Sequence, residues 1–190
     1  MAKPAVKLEG IEREAMRLFG EKGVAAVTIK DIASAADAAE GALYRHYRGK
    51  EDMAQKLFQR ELGVFGSEVS EILNQTGHAP EDRMKKAISA FYRFYDRDPV
   101  VFNFIILSQH SFPSENLITQ DRNPNDLVVD FIRQGIAGNS FVSEYPEMTA
   151  SIVYGMVLQP AIMHVYGRIK GRLSDYTELV HKACLKVLKQ

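Results

Sequence analysis

Apolar residues recur at three- and four-residue spacing along nearly the whole chain, and the two-residue alternation of strands is almost absent. Leu8, Ile11, Ala15, Leu18 and Phe19 form one such stripe, which Gly23 stops. Thr28 and Asp31 form a capping pair that opens a short helix burying Ile32, Ala33 and Ala36. A turn at Asp37-Ala38 leads into a second short helix over about 39–47. A long helix follows over 50–73, then a polar loop over 74–80. Further helices are expected at about 81–96, 99–110, 124–137, 146–170 and 174–189, with the weakest pattern over 111–125, which holds two prolines and several polar residues. The fold class is all-α. Short helices give way to long, aromatic-rich ones near residue 50, so two domains are expected, 1–50 and 51–190. The longest apolar stretch, IVYGMVLQPAIMHVYG, is broken by Gly155, Gln159 and Pro160 and reads as a buried helix rather than a membrane span.

Two short helices joined by a tight turn and braced by a preceding helix describe a helix-turn-helix unit. In such a unit the second helix enters the major groove of DNA, its first residues facing base edges while flanking groups hold phosphates. Glu40, Gly41 and Ala42 then lie nearest the bases, and Tyr44 and His46 can donate to phosphate oxygens. Lys50 adds a cation beside the free backbone N–H groups that open the long helix. Between Gly41 and Lys50 stand two tyrosines, a histidine and two arginines, with no carboxylate. Taken singly, each of these is an ordinary surface or packing residue; their order is what points to phosphate. Glu40 could accept a hydrogen bond from a cytosine amino group, or simply place favourable charge in the first helical turn. Ala42 could touch a thymine methyl or leave room for close approach.

Charge over the whole chain adds nothing to this, because Lys+Arg and Asp+Glu are both 24. Any case for nucleic acid is therefore local. A hydrophobic share of 46% is enough for a core. The single cysteine, Cys184, allows no intrachain disulfide and suits a reducing compartment. The opening MAKPAVKLEGIERE has no apolar run of signal-peptide length. A cytoplasmic protein with no membrane partner is expected.

The segment TIKDIASAADAAEGALYRHYRGKEDM resembles the DNA-binding segment of the tetracycline-repressor (TetR) family. Thr28, Ile32-Ala33, Ala36, Gly41, Leu43-Tyr44, His46-Tyr47 and Lys50-Glu51 all fit that family's pattern, and AMRLFGEKG looks like its first helix. The resemblance covers about residues 8–54. It implies that Thr28, Tyr44, His46 and Lys50 contact phosphate, and that Lys30, Glu40, Gly41, Ala42 and Arg45 lie at or near bases. Three positions depart from the pattern. Asp37 stands where the turn usually has Gly, but Asp tolerates the left-handed conformation better than most residues. Ala38 replaces a larger apolar residue. Ala39 replaces the usual Ser at the helix cap, a loss of about 0.5–2 kcal/mol.

The rest of the chain shows no catalytic constellation. Its histidines lack metal-ligand spacing, and it has neither a glycine-rich phosphate loop nor a Gly-x-Ser-x-Gly elbow. Cys184 lies on an apolar helix face and reads as inert core. No enzyme activity, metal or cofactor is expected. Aromatics are plentiful, and most of them pack cores. An apolar cavity with a few polar groups would make an effector site, and its candidate apolar residues are Phe91, Tyr95, Phe102 and Phe131. Met156, Gln159, Met163 and His110 complete that candidate set, and Pro160 could kink its helix to make room. The family resemblance implies an effector-binding half that dimerises through its last two helices. Tyr176, Leu179, Val180, Ala183, Val187 and Leu188 form a compatible stripe, which with Ile152, Met156 and Ile162 could build a four-helix interface. Both helices could instead close a monomer core. The expected function is a ligand-responsive, homodimeric regulator, a repressor released from a double-stranded DNA operator by a small, largely apolar effector. The alternative is an all-α small-molecule-binding protein or enzyme with a degenerate DNA-binding segment.

Overall fold

A computed structural model describes residues 8–108, 112 and 124–189. Among these residues there are helices and no strand. The helices are α1 (Leu8–Lys22), α2 (Ile29–Ala35), α3 (Glu40–Tyr44), α4 (Lys50–Leu73), α5 (Pro80–Arg97), α6 (Pro99–Ser108), α7 (Pro124–Ala137), α8 (Pro146–Val165) and α9 (Thr177–Leu188). Single 3₁₀ turns at Val24–Ala26 and Leu173–Tyr176 precede α2 and α9. The described residues divide into two compact units, 8–62 with 98–108 and 112, and 63–97 with 124–189. The boundary between the two units falls within α4.

In the first unit, α1 buries Ile11, Ala15, Met16, Leu18 and Phe19. Gly23 ends it with φ of 79°, a left-handed conformation that glycine adopts without a Cβ clash. Capping at Thr28 is reciprocal: its hydroxyl oxygen accepts the Asp31 N–H at 3.1 Å, and Asp31 Oδ2 accepts the Thr28 N–H at 2.9 Å. Ala36 closes α2 as its C-cap and is half-buried. The turn then passes through Asp37 at φ of 51°. α6 is buried nearly all round, through Val101, Phe102, Phe104, Ile105 and Ile106. It lies so close to α1 that a Cβ on Gly20 would stand 3.2 Å from the Phe104 backbone nitrogen. Phe19 and Phe58 both meet Phe104, at ring-centroid distances of 6.0 and 6.3 Å. Asp98 pairs with Arg13 of α1 and accepts the Val101 N–H at 3.1 Å. Burial pushes the Asp98 carboxyl up, but those two partners outweigh it and hold its pKa below the ordinary value.

In the second unit, α5 buries Met84, Ile88, Phe91 and Tyr92 at helical spacing. The Tyr92 hydroxyl donates to the Val157 carbonyl of α8 at 3.1 Å. Asp96, near the end of α5, accepts the Leu173 and Ser174 N–H groups at 2.9 and 3.1 Å and so anchors the chain before α9. Gly135 lets α7 turn sharply into Phe141, whose ring passes 2.1 Å from where a Cβ would be. α9 sends Val180, His181, Cys184 and Leu188 into the core. Burial pushes the Cys184 thiol up to about 11, as suits an inert packing residue.

α8 differs from the buried helix expected for this apolar stretch. By length and composition it could cross a membrane, yet only 17% of its most apolar window is buried. Ala150, Val153 and Ala161 face inward. Met148, Ile152, Gly155, Gln159, Met163 and Tyr166, spaced three or four apart, are exposed along one outer face. The helix runs through Pro160 and ends at Val165, short of residue 170.

Candidate nucleic-acid interface

Only five residues form α3, because Ala39 offers no side-chain cap and Tyr44 is its last helical residue. Leu43, with 0% exposure, is its single buried anchor. Glu40, Gly41, Tyr44, Arg45 and His46 are exposed and Ala42 is half-buried, so the residues expected near bases and phosphates lie on the uncovered side. Tyr44 is 57% exposed, and its hydroxyl makes no hydrogen bond among the described residues. A Cβ on Gly41 would meet nothing within 4 Å. No contact inside the chain therefore requires glycine there, although glycine costs a helix about 1 kcal/mol relative to alanine.

Electrostatics separate this surface from its scaffold. Arg13, Arg17, Lys56 and Arg60 are each committed to carboxylates. Lys30, Arg45 and Arg48 are exposed, with no carboxylate at ion-pair distance among the described residues. Thr28 is also exposed, its hydroxyl already donating to Asp31 Oδ2 at 2.7 Å. Lys50 is the most constrained of the expected contacts. Its ammonium donates to the Ala25 carbonyl at 2.8 Å, pinning the 3₁₀ turn to the start of α4, and its side chain is 21% exposed.

A polar cluster behind this surface was not expected. Glu12, an acid of α1, is buried at 6% exposure. It accepts the Tyr47 hydroxyl on Oε1, and Arg60 donates to its Oε2 at 2.7 Å. Lys56 stands 5.6 Å from the Tyr47 ring centroid. Burial first, and then the Glu12 carboxylate that accepts the proton, hold the Tyr47 hydroxyl far above the ordinary phenol range. A signal was available: Leu8, Glu12, Ala15 and Phe19 share one helical face, so Glu12 occupies a core position of the stripe.

The expected effector residues fall in both units. In the second unit Phe91 and Phe131 are buried, Tyr95 and Met156 are half-buried, and Gln159 and Met163 lie on the exposed face of α8. Phe102 is fully buried in the first unit, and His110 lies outside the described residues. Tyr95 meets His164 edge-on at 4.9 Å. The His164 Nε2 lies 2.7 Å from the Gly171 carbonyl and so donates to it, while its Nδ1 is buried with no partner among the described residues. No group of three or more His, Cys, Asp or Glu side chains could hold a metal ion among the described residues.

Residues 11–57 match the family described as bacterial regulatory proteins, tetR family. The HTH-type transcriptional repressor KstR2 of Mycolicibacterium smegmatis is 22% identical over 160 residues, spanning 82% of this chain and 76% of that protein. Among solved structures, the fatty acid degradation regulator FadR from Bacillus halodurans superposes with a TM-score of 0.79, at 20% identity, over 97% of each chain. FadR from Bacillus subtilis, in complex with stearoyl-CoA, gives a TM-score of 0.81 at 17% identity, over 96% of this chain and 100% of that one. At such identities the structural likeness speaks to fold.

Proposed function

The chain belongs to the tetR family of bacterial regulatory proteins, and from that premise we propose a homodimeric repressor that leaves its DNA operator when a small, largely apolar effector binds. As a family member it is a DNA-binding transcriptional regulator and not an enzyme. Residues 1–50 take the DNA role and 51–190 the effector and dimerisation roles, and the protein works in the cytoplasm, where the operator is. The observation that carries the DNA role is the uncovered side of α3, where Tyr44, Arg45 and His46 are exposed beside Arg48. Thr28, Tyr44, His46 and Lys50 hold phosphates; Lys30, Glu40, Gly41, Ala42 and Arg45 approach bases. One five-residue helix reads too few bases to be selective alone, and a two-fold operator needs two copies.

The open apolar face of α8 supports the homodimer. Met148, Ile152 and Met163 on it are 63%, 46% and 37% exposed, and Leu179 of α9 is 66% exposed. Val180 and Leu188 pack inward, so α9 contributes its other side, with Leu179 and the half-buried Ala183. For the effector, the aromatic second unit offers apolar surface, and Tyr95 beside the His164 Nδ1, which has no partner among the described residues, offers a polar handle. The stearoyl-CoA bound by the Bacillus subtilis regulator supports an apolar effector. To swing the operator from nearly full to nearly empty, the effector must prefer one conformation by about 10⁴-fold.

Mobility-shift titration of the wild-type chain against duplexes from its own promoter region tests the DNA role. The wild type is expected to shift a fragment, and joint replacement of Tyr44 and Lys50 by alanine to abolish the shift. A shift that survives the double replacement sinks the assignment of DNA contact to this segment.

A further inference from the structure

The short reading helix is held weakly by its own sequence. It has one buried anchor, Leu43, and no side-chain cap at Ala39. Its exit is held firmly. Tyr47, three residues past the last helical residue, is 8% exposed and donates its hydroxyl to Glu12 of α1. The second carboxylate oxygen of Glu12 takes Arg60 of α4 at 2.7 Å. One buried carboxylate thus ties α1, the exit of α3 and α4 together.

Burying a carboxylate is costly even when it is paired, and apolar side chains of similar volume often serve stability as well or better. What an ionic cluster supplies that apolar packing does not is direction, since hydrogen bonds weaken steeply off axis. We infer that Glu12, Tyr47 and Arg60 are positioning residues for operator recognition, fixing the orientation of α3 against α1 and α4 without touching DNA. The inference rests on the proposed DNA role of α3.

The test uses the full chain and two probes: a duplex recovered by the wild type from a random 30-base-pair library, about three helical turns, and a scrambled duplex of equal length. The variant joins Glu12→Met to Tyr47→Phe, an apolar replacement of the carboxylate and the hydroxyl. It is expected to keep the wild-type thermal midpoint while losing about tenfold in affinity for the selected duplex. Affinity for the scrambled duplex and the slope of affinity against salt stay as they were, because the number of phosphates neutralised is unchanged. A merely structural role would do the reverse, lowering the midpoint and leaving the preference between duplexes intact; that result overturns the inference, as does equal loss on both duplexes. Arg60→Gln gives a second reading at a side chain that is 48% exposed, where folding is least at risk. Its preference must also fall, and an unchanged preference overturns the inference. If the wild type retains no duplex from the library, the DNA role fails, and this inference with it. If the wild type discriminates and the variants discriminate equally well, the positioning role alone fails.

Discussion

α3 and α8 both leave a face uncovered, and the two faces have opposite chemistry. Along α3 and its exit stand Tyr44, Arg45, His46 and Arg48, each exposed. Along α8 stand Met148, Ile152, Gly155 and Met163, with Tyr166 just past its end and the polar Gln159 among them. In the proposed function the first face would make a few directional contacts with phosphate and base edges, and it is well solvated alone. The second gains only by removing apolar area from water, at about 25 cal/mol per Å², and so demands a broad, matching partner such as a second copy. The helices also differ in support. α3 has five residues and one buried anchor, whereas α8 has twenty residues and buries Ala150, Val153 and Ala161.

The sharpest way to break this comparison is to put charge on the apolar face. Ile152→Glu is expected to dissociate the proposed homodimer, because an unpaired carboxylate buried in an interface costs about 3–5 kcal/mol. Sedimentation velocity across a concentration series checks it; an unchanged dimer removes α8 from the interface. Next is the anchor of α3. Leu43→Ala is expected to destabilise the protein by about 2–5 kcal/mol, read by urea denaturation. Ala39→Ser works in the opposite direction. A side-chain cap on α3 is expected to raise stability by about 0.5–2 kcal/mol, seen as a higher thermal midpoint. Arg48→Ala is expected to leave folding alone and to reduce the slope of log affinity against log salt by about 0.9, the share of one phosphate.

The smallest effect separates the two units by acid. Asp98 in the first unit and Asp96 in the second both have lowered pKa values. Burial raises the Asp96 carboxyl, and hydrogen bonds from the Ser174 side chain and then from the Ser174 and Leu173 N–H groups lower it by more. A carboxylate whose folded pKa is depressed gives stability that is fully present above the unfolded value, about 3.9, and is lost as pH falls through the folded value. Thermal midpoints recorded from about pH 6 down to pH 3 should therefore fall more steeply for the wild type than for Asp98→Asn or Asp96→Asn.

Most elements were legible from periodicity, because the longer amphipathic helices carry a one-sided apolar stripe, as in the Ile11, Ala15 and Phe19 series. The turn at Asp37 was legible from its chemistry, since a left-handed residue was needed and Asp tolerates the strain. Partners were harder to read than faces. α6 is apolar nearly all round, so its pattern names no face, and nothing local shows that it packs on α1. The stripe of α8 told of an apolar helix but not that much of it stays open within one chain. Glu12 is hard to read because an acid ordinarily faces solvent, yet its place on the α1 stripe puts it in the core. Its partners stand 35 and 48 residues away, beyond any local pattern. The expected span of 39–47 runs past the end of the reading helix, since Arg45, His46 and Tyr47 continue the polar-apolar rhythm after regular helix ends at Tyr44.

Cys184 has a practical corollary. It is the chain's only cysteine, it is wholly buried, and its thiol ionises at about 11. Near neutral pH the native protein should therefore resist maleimides and similar alkylating reagents, which attack the thiolate. A cysteine placed by mutagenesis on the outward side of α3 or α8 would then accept a fluorophore or spin label against a silent background, so that each face could be watched meeting its partner in solution.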